Sequence, residues 1–176
     1  MSDIKVAYND VHKKLYLHFK ETEQQLNELN KNIAYQQERQ REAASQGDLS
    51  ENAEYHTAAE EINRLQVEKE KLIARRNTYQ QQGFDTENPR SVSISGMQAI
   101  DNTAQIDYRS MFRISEGADE YTFMLVPAII SNARESAMSD NSPLGKAIVG
   151  HTEGDTIIIN IRGKEHRYYI KEVFTP

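Results

Sequence analysis

An α+β fold is predicted for this chain: a long antiparallel coiled-coil hairpin over residues 1–82, a linker at 83–91 and a small β-rich domain over 92–176. Three observations predict it. From about residue 9 to residue 82 there is no proline, and Gln, Glu, Lys, Asn, Ala and Leu, mostly good helix formers, dominate. Gly47 alone interrupts that stretch, and the helical pattern resumes at once. Beyond Asn88-Pro89 the hydrophobic period changes from that of helices to that of strands.

In the first arm, Leu15, Phe19, Thr22, Leu26, Leu29 and Ile33 alternate at spacings of four and three, then thin to Gln36 or Gln37, Gln40 and Ala44. In the second, Tyr55, Ala58, Ile62, Leu65, Lys69, Leu72, Arg76 and Tyr79 keep the same alternation. That is the a/d pattern of a coiled coil, and two such arms joined by a short turn fold back on each other. The tip falls at residues 47–52. Gly83 is a natural stop for the second helix. Strands are predicted at 91–95, 104–114, 120–126, 154–163 and 166–174, the last two flanking a turn at Arg162-Gly163-Lys164-Glu165. Between them, residues 142–150 fit a short helix with Ser142 as N-cap, Pro143 in the first turn and Gly150 as the stop.

Composition narrows the function. The net charge is −6, with 12 basic against 14 acidic residues up to residue 82 and 9 against 13 after it. Neither part is a basic module of the kind that binds nucleic acid by broad phosphate neutralisation. Any nucleic acid involved is expected to be held by something else. The absence of cysteine removes a disulfide framework and thiolate chemistry. With no apolar run near membrane length and no apolar leader after Met1, a cytoplasmic protein with no membrane partner is the simplest expectation.

The tip carries two carboxylates, Asp48 and Glu51, and two readings of them. In one, Asp48 caps the second helix and Glu51, three residues on, completes a capping box; both charges then favour the helix N-terminus. In the other they carry chemistry. Two carboxylates on an exposed tip bind Mg²⁺ only weakly, so the tip could not be a nuclease alone, but it could complete a metal site belonging to a partner. The readings are compatible, since a capping geometry would also pre-orient the carboxylates.

The stretch GDLSENAEYH, residues 47–56, resembles the coiled-coil tip of the bacterial Gre transcript-cleavage factors, and SDNSPLGKAIVGHTEGDTI, residues 139–157, resembles the signature of that family's FKBP-like C-terminal domain. Both stand in the family order. The resemblance implies a transcription elongation factor whose hairpin enters the secondary channel of bacterial RNA polymerase. There Asp48 and Glu51 would help hold the second Mg²⁺ of the polymerase active site and position water, so that the backtracked 3′ end of the nascent RNA is cut. It implies supporting roles for Asn52, Glu54 and Tyr55, and polymerase contact through Asp140, Ser142 and Pro143, for which capping of the short helix is the competing reading. It implies no cofactor bound by the chain alone and no nuclease activity of its own; a monomer fits channel entry. Family members commonly carry Arg three residues before the tip glycine and Lys or Arg four after the tip tyrosine, where this chain has Ala44 and Ala59. Arg39, Arg41 and Arg64 are the nearby basic residues. These departures motivate the alternative of a Gre-like regulator that binds the channel without promoting cleavage. The segment 97–119 matches the family only loosely.

Overall fold

The computed structural model describes residues 3–45, 47, 52–87 and 104–175. Helices α1 (Asp3–Ser45) and α2 (Ala53–Gln81) form the hairpin arms. The chain divides into two compact units, Met1–Leu17 with Thr78–Pro176, and His18–Asn77.

In the unit His18–Asn77 the arms run antiparallel. Leu29, Ile33 and Leu65 form a buried cluster with Leu72 against it, and closer to the tip Arg39 meets Glu54. Phe19, Thr22, Leu26, Ala58 and Ile62 are buried as the alternation predicts. Thr22 is tolerated in the seam because its hydroxyl donates to the His18 carbonyl at 2.8 Å. One seam position is corrected: Ala43 is buried at 1% exposure and Ala44 only half-buried. The spacing after Gln40 is three, so the alternation runs unbroken from Ile33 through Gln36 and Gln40 to Ala43. On α2 the predicted seam residues Tyr55, Lys69, Leu72 and Arg76 are half-buried.

In the other unit, α1 starts earlier than the sequence pattern suggests, at Asp3, because Ile4, Tyr8, Val11 and Leu15 bury an apolar face there. The Tyr8 ring meets Phe174 edge-on at 5.3 Å. Gly83 ends α2 as predicted: its φ is +70°, its N–H donates to Gln80 O, and the Phe84 N–H reaches back to Tyr79 O at 2.8 Å. These two bonds satisfy the last carbonyls in a Schellman motif, and Phe84 is fully buried.

The sheet contains β1 (Met111–Glu116), β2 (Asp119–Val126), β3 (Ala137–Ser139), β4 (Thr156–Ile161) and β5 (Lys164–Phe174), in the order β3-β2-β1-β5-β4. All pairings are antiparallel except β2 with β3. Phe112, Ile114, Leu125, Ile157 and Ile170 line one face and pack with Leu144 and Ile148 of α3 (Pro143–Ile148). The strands near 120–126, 154–163 and 166–174 stand where the alternation puts them. The β4–β5 turn is tighter than predicted, with Arg162 and Gly163 at φ +53° and +84°, the two positive values of a type I′ hairpin. The predicted strand 104–114 is corrected: β1 begins at Met111, because Asp107–Ser110 form a turn closed by Ser110 N–H to Asp107 O at 2.9 Å. The predicted strand 91–95 lies outside the described residues.

Candidate functional site

The hairpin tip is organised by Asn52. Its side-chain N–H donates to the Ala43 carbonyl of α1 at 2.8 Å, while its Oδ1 accepts from the Tyr55 N–H at 3.0 Å. Its backbone carbonyl accepts from the His56 N–H, closing the first helical bond. Asn52 is therefore the N-cap of α2 and also a strap between the two arms. This corrects the capping reading of the sequence, which gave the cap to Asp48. The helix starts at Ala53, five residues after Asp48, so Asp48 is too early to cap it. Asp48 and Glu51 themselves lie outside the described residues.

Glu54, on the first turn of α2, accepts from the Arg39 guanidinium at 2.8 Å across the arms. The neighbouring carboxylate raises the Arg39 pKa further above its ordinary value. Tyr55 is half-buried and meets the exposed His56 ring edge-on at 5.6 Å. Buried Ala43 and Ala58 form the seam beside the tip. Two other arginines on the tip-side halves of the arms are also matched with acids: Arg41 with Glu38 at 3.0 Å, and Arg64 with Glu61 at 2.6 Å and Glu68 at 3.8 Å. The arms therefore present alternating charge, and Ala44 and Ala59 add no cation to it. Among the described residues no group of three or more His, Asp or Glu side chains is placed to hold a metal ion.

The second candidate region is the loop between β3 and α3. Ser142 takes the cap of α3, accepting from Gly145 N–H at 2.9 Å and donating to Ser139 O at 2.8 Å, with Pro143 in the first turn. The fit is close: a Cβ on Gly145 would stand 2.0 Å from the Ser139 carbonyl oxygen. Asp140 takes no part in the cap. Its Oδ2 accepts from the Tyr108 hydroxyl at 2.8 Å, and its Oδ1 is buried with no hydrogen-bond partner among the described residues. The carboxylate raises the Tyr108 pKa, by its hydrogen bond above all. Sequence reasoning did not find Tyr108. It sits in the segment read as a strand, and no periodicity links it to a residue thirty-two positions away.

Comparison with known proteins places both regions in one family. Residues 17–80 match the N-terminal model of transcription elongation factors, and residues 104–175 match the C-terminal model of transcription elongation factors GreA/GreB. The chain is 30% identical over 138 residues to transcription elongation factor GreA of Anaeromyxobacter sp. strain K, covering 75% of this chain and 72% of that one. It is 28% identical over 159 residues to GreA of Thermotoga neapolitana, covering 88% and 92%. Among solved structures, the GreA factor homolog 1 (Gfh1) of Thermus thermophilus aligns over 89% of this chain and 94% of its own at 16% identity, with a TM-score of 0.38. That structural likeness carries no weight in the assignment, which rests on the matched models and the sequence relatives. The chain belongs to the GreA/GreB family of transcription elongation factors.

Proposed function

We propose that this chain stimulates the cleavage of backtracked RNA by bacterial RNA polymerase, with Asp48 and Glu51 as the residues that complete the polymerase active site. The observation that carries this reading is the Asn52 cap. With Asn52 at the cap of α2, a chemical role for the acidic pair does not compete with capping, and the pair stands within the stretch that matches the family model. Asn52, Glu54 and Tyr55 then support the pair: Asn52 straps the arms, Glu54 pairs with Arg39, and Tyr55 stands on the first turn of α2. A Mg²⁺ held jointly with the polymerase would stabilise charge on the attacking and leaving oxygens of the phosphodiester. Asp140, Ser142 and Pro143 form the proposed polymerase contact, on the loop that leads into α3.

One observation favours a second reading. Arg39, Arg41 and Arg64 are all engaged by carboxylates, and Ala44 and Ala59 supply no substitute cation. Cations already paired with carboxylates near the tip hold RNA phosphate weakly, which suits a channel-binding regulator that does not promote cleavage. The two separate in a stalled, backtracked bacterial elongation complex at fixed Mg²⁺. Rapid release of 3′ fragments is expected with the wild-type chain. The Asp48→Asn/Glu51→Gln variant is expected to lower the rate on the order of a hundredfold, as when a preorganised electrostatic partner of a transition state is removed. No release by the wild type, with slowed elongation instead, would establish the regulator.

A further inference from the structure

We propose that Tyr108 and Asp140 together form a receptor for a basic side chain, an arginine or lysine, on the polymerase surface, with Tyr108 as the positioning residue of that contact. The inference rests on the reading of the Asp140 loop as the polymerase contact and adds to it a residue outside that loop and the chemistry of the group it meets.

Three features converge. First, both partners are held rigidly. Tyr108 projects from a turn closed by Ser110 N–H to Asp107 O, by Asp107 N–H to Ser110 Oγ at 3.0 Å, and by Tyr108 N–H to Asp107 Oδ1 at 2.7 Å. Ile106 and Ser110 on either side are buried, and Arg109 takes a left-handed φ of +67° while its N–H donates to Leu125 O. Asp140 is tied by its own N–H to Val126 O at 3.0 Å. Second, Tyr108 is 47% exposed despite its buried neighbours, so a rigid turn presents an aromatic ring to solvent. Third, Asp140 is under-satisfied: Oδ2 has the phenol, and Oδ1 is buried without a partner among the described residues. A buried carboxylate oxygen left unpaired is uncommon and asks for a donor or a nearby positive charge.

A cation docked over the Tyr108 ring meets both needs. The ring face attracts it, the Asp140 carboxylate stands at the ring's hydroxyl, and the exposed Asp107 carboxylate stands at the Tyr108 backbone N–H. Arginine suits this best, because its planar guanidinium stacks on an aromatic face and pairs with a carboxylate at its edge. The phenol hydroxyl fixes the carboxylate in advance, which lowers the ordering needed at docking. The acidic balance after residue 82, 9 basic against 13 acidic residues, favours a basic counterpart as well.

The test is the affinity of the full chain for core RNA polymerase, measured by fluorescence anisotropy for wild type, Tyr108→Phe, Tyr108→Ala, Asp140→Ala and the Tyr108→Phe/Asp140→Ala pair. Tyr108→Phe keeps the ring and loses the hydroxyl, and is expected to weaken binding roughly tenfold with an unchanged melting temperature. Tyr108→Ala loses the ring as well and is expected to weaken it roughly thirtyfold. In the Asp140→Ala background, Tyr108→Phe should have no further effect, a coupling that a merely structural role would not produce. Wild-type or tighter binding by Tyr108→Phe, or effects of the two substitutions that simply add, would overturn the inference while leaving the loop as the contact. Wild-type binding by Asp140→Ala would remove the loop reading itself.

Discussion

The two compact units bury their apolar residues on different plans. In His18–Asn77 the interior is a seam, a single file of side chains repeating along two helices, in which Leu29, Ile33 and Leu65 form a buried cluster with Leu72 beside it. In the unit that holds the sheet, eleven buried residues from six elements and a loop meet in one cluster around Phe112, Ile114 and Ile170. A seam can be lengthened or thinned one turn at a time, which is why it tolerates half-buried Gln36, Lys69 and Arg76. A closed core cannot, because each side chain there fills space shared by several elements. The seam therefore suits an arm that carries a tip, and the core suits a platform that must hold loops such as Asp107–Ser110 and Ser139–Ser142 in fixed positions.

The contrast has a direct energetic form. Ile114 is fully buried at the centre of the sheet, paired with Tyr121 on β2 and Ile170 on β5. Ile114→Ala is expected to destabilise the sheet unit by about 2–5 kcal/mol, because a closed core relaxes only partly around the cavity. Urea unfolding followed by tyrosine fluorescence measures it. Leu65→Ala in the seam is expected to cost less, about 2 kcal/mol, since the neighbouring helix turns can close on the space. Its loss should be read in helical circular dichroism. Equal costs at the two sites would break the comparison, and would mean that the seam is packed as tightly as the core.

The two plans were also unequally legible in the sequence. The seam repeats over many turns, so an error at one position is outvoted by the rest; the slip from Ala43 to Ala44 is a matter of one residue where alanines stand side by side. The longer strands β2, β4 and β5 were readable because alternation needs several residues to show itself. Strand β3, three residues paired in parallel with β2, is too short for any period. The turn at Asp107–Ser110 contains neither glycine nor proline, and Arg109 takes the positive φ there, so only Asp107 and Ser110, two weak turn signals, separated it from a strand. At the tip, both Asp48 and Asn52 are good capping residues. The start of α2 at Ala53, with Asn52 Oδ1 accepting from Tyr55 N–H, decides between them, and the bond from Asn52 to Ala43 O on the opposite arm that accompanies it leaves no trace in local sequence. The Tyr108–Asp140 bond was hidden for the same reason. The acidic pair Asp48 and Glu51 stood out by its place at the break in the helical pattern, and its chemical role is what the family resemblance implies.

The finest test of the comparison uses the polar residues each plan buries. In His18–Asn77 the buried polar residue is Thr22, whose hydroxyl is satisfied by His18 O and does not titrate in the working range. In the sheet unit they include Ser110 and His12, and the one that titrates is His12, 0% exposed, whose Nε2 stands 3.2 Å from the Gly83 carbonyl and whose Nδ1 is buried without a partner among the described residues. The contact with a carbonyl requires the Nε2–H tautomer, which leaves Nδ1 to take up any further proton in a dry site beside the Phe84 ring at 5.1 Å. Burial is the main reason that the His12 pKa lies below its ordinary 6.5; the Arg109 guanidinium lowers it further, while Gly83 O and Asp85 act the other way. The folded chain therefore binds this proton more weakly than the unfolded chain does. Its contribution to stability is fully present above about pH 6.5 and is lost as the pH falls from there toward the lower folded value. Tyrosine fluorescence should report earlier unfolding of the sheet unit in urea as the pH drops through that window, and His12→Gln should flatten the dependence. The helical signal of the hairpin should not follow. If it falls in step, the two plans share one cooperative transition and the division into seam and core has no thermodynamic counterpart. If the fluorescence does not move, His12 titrates as an ordinary histidine and its burial has been compensated by Gly83 and Asp85.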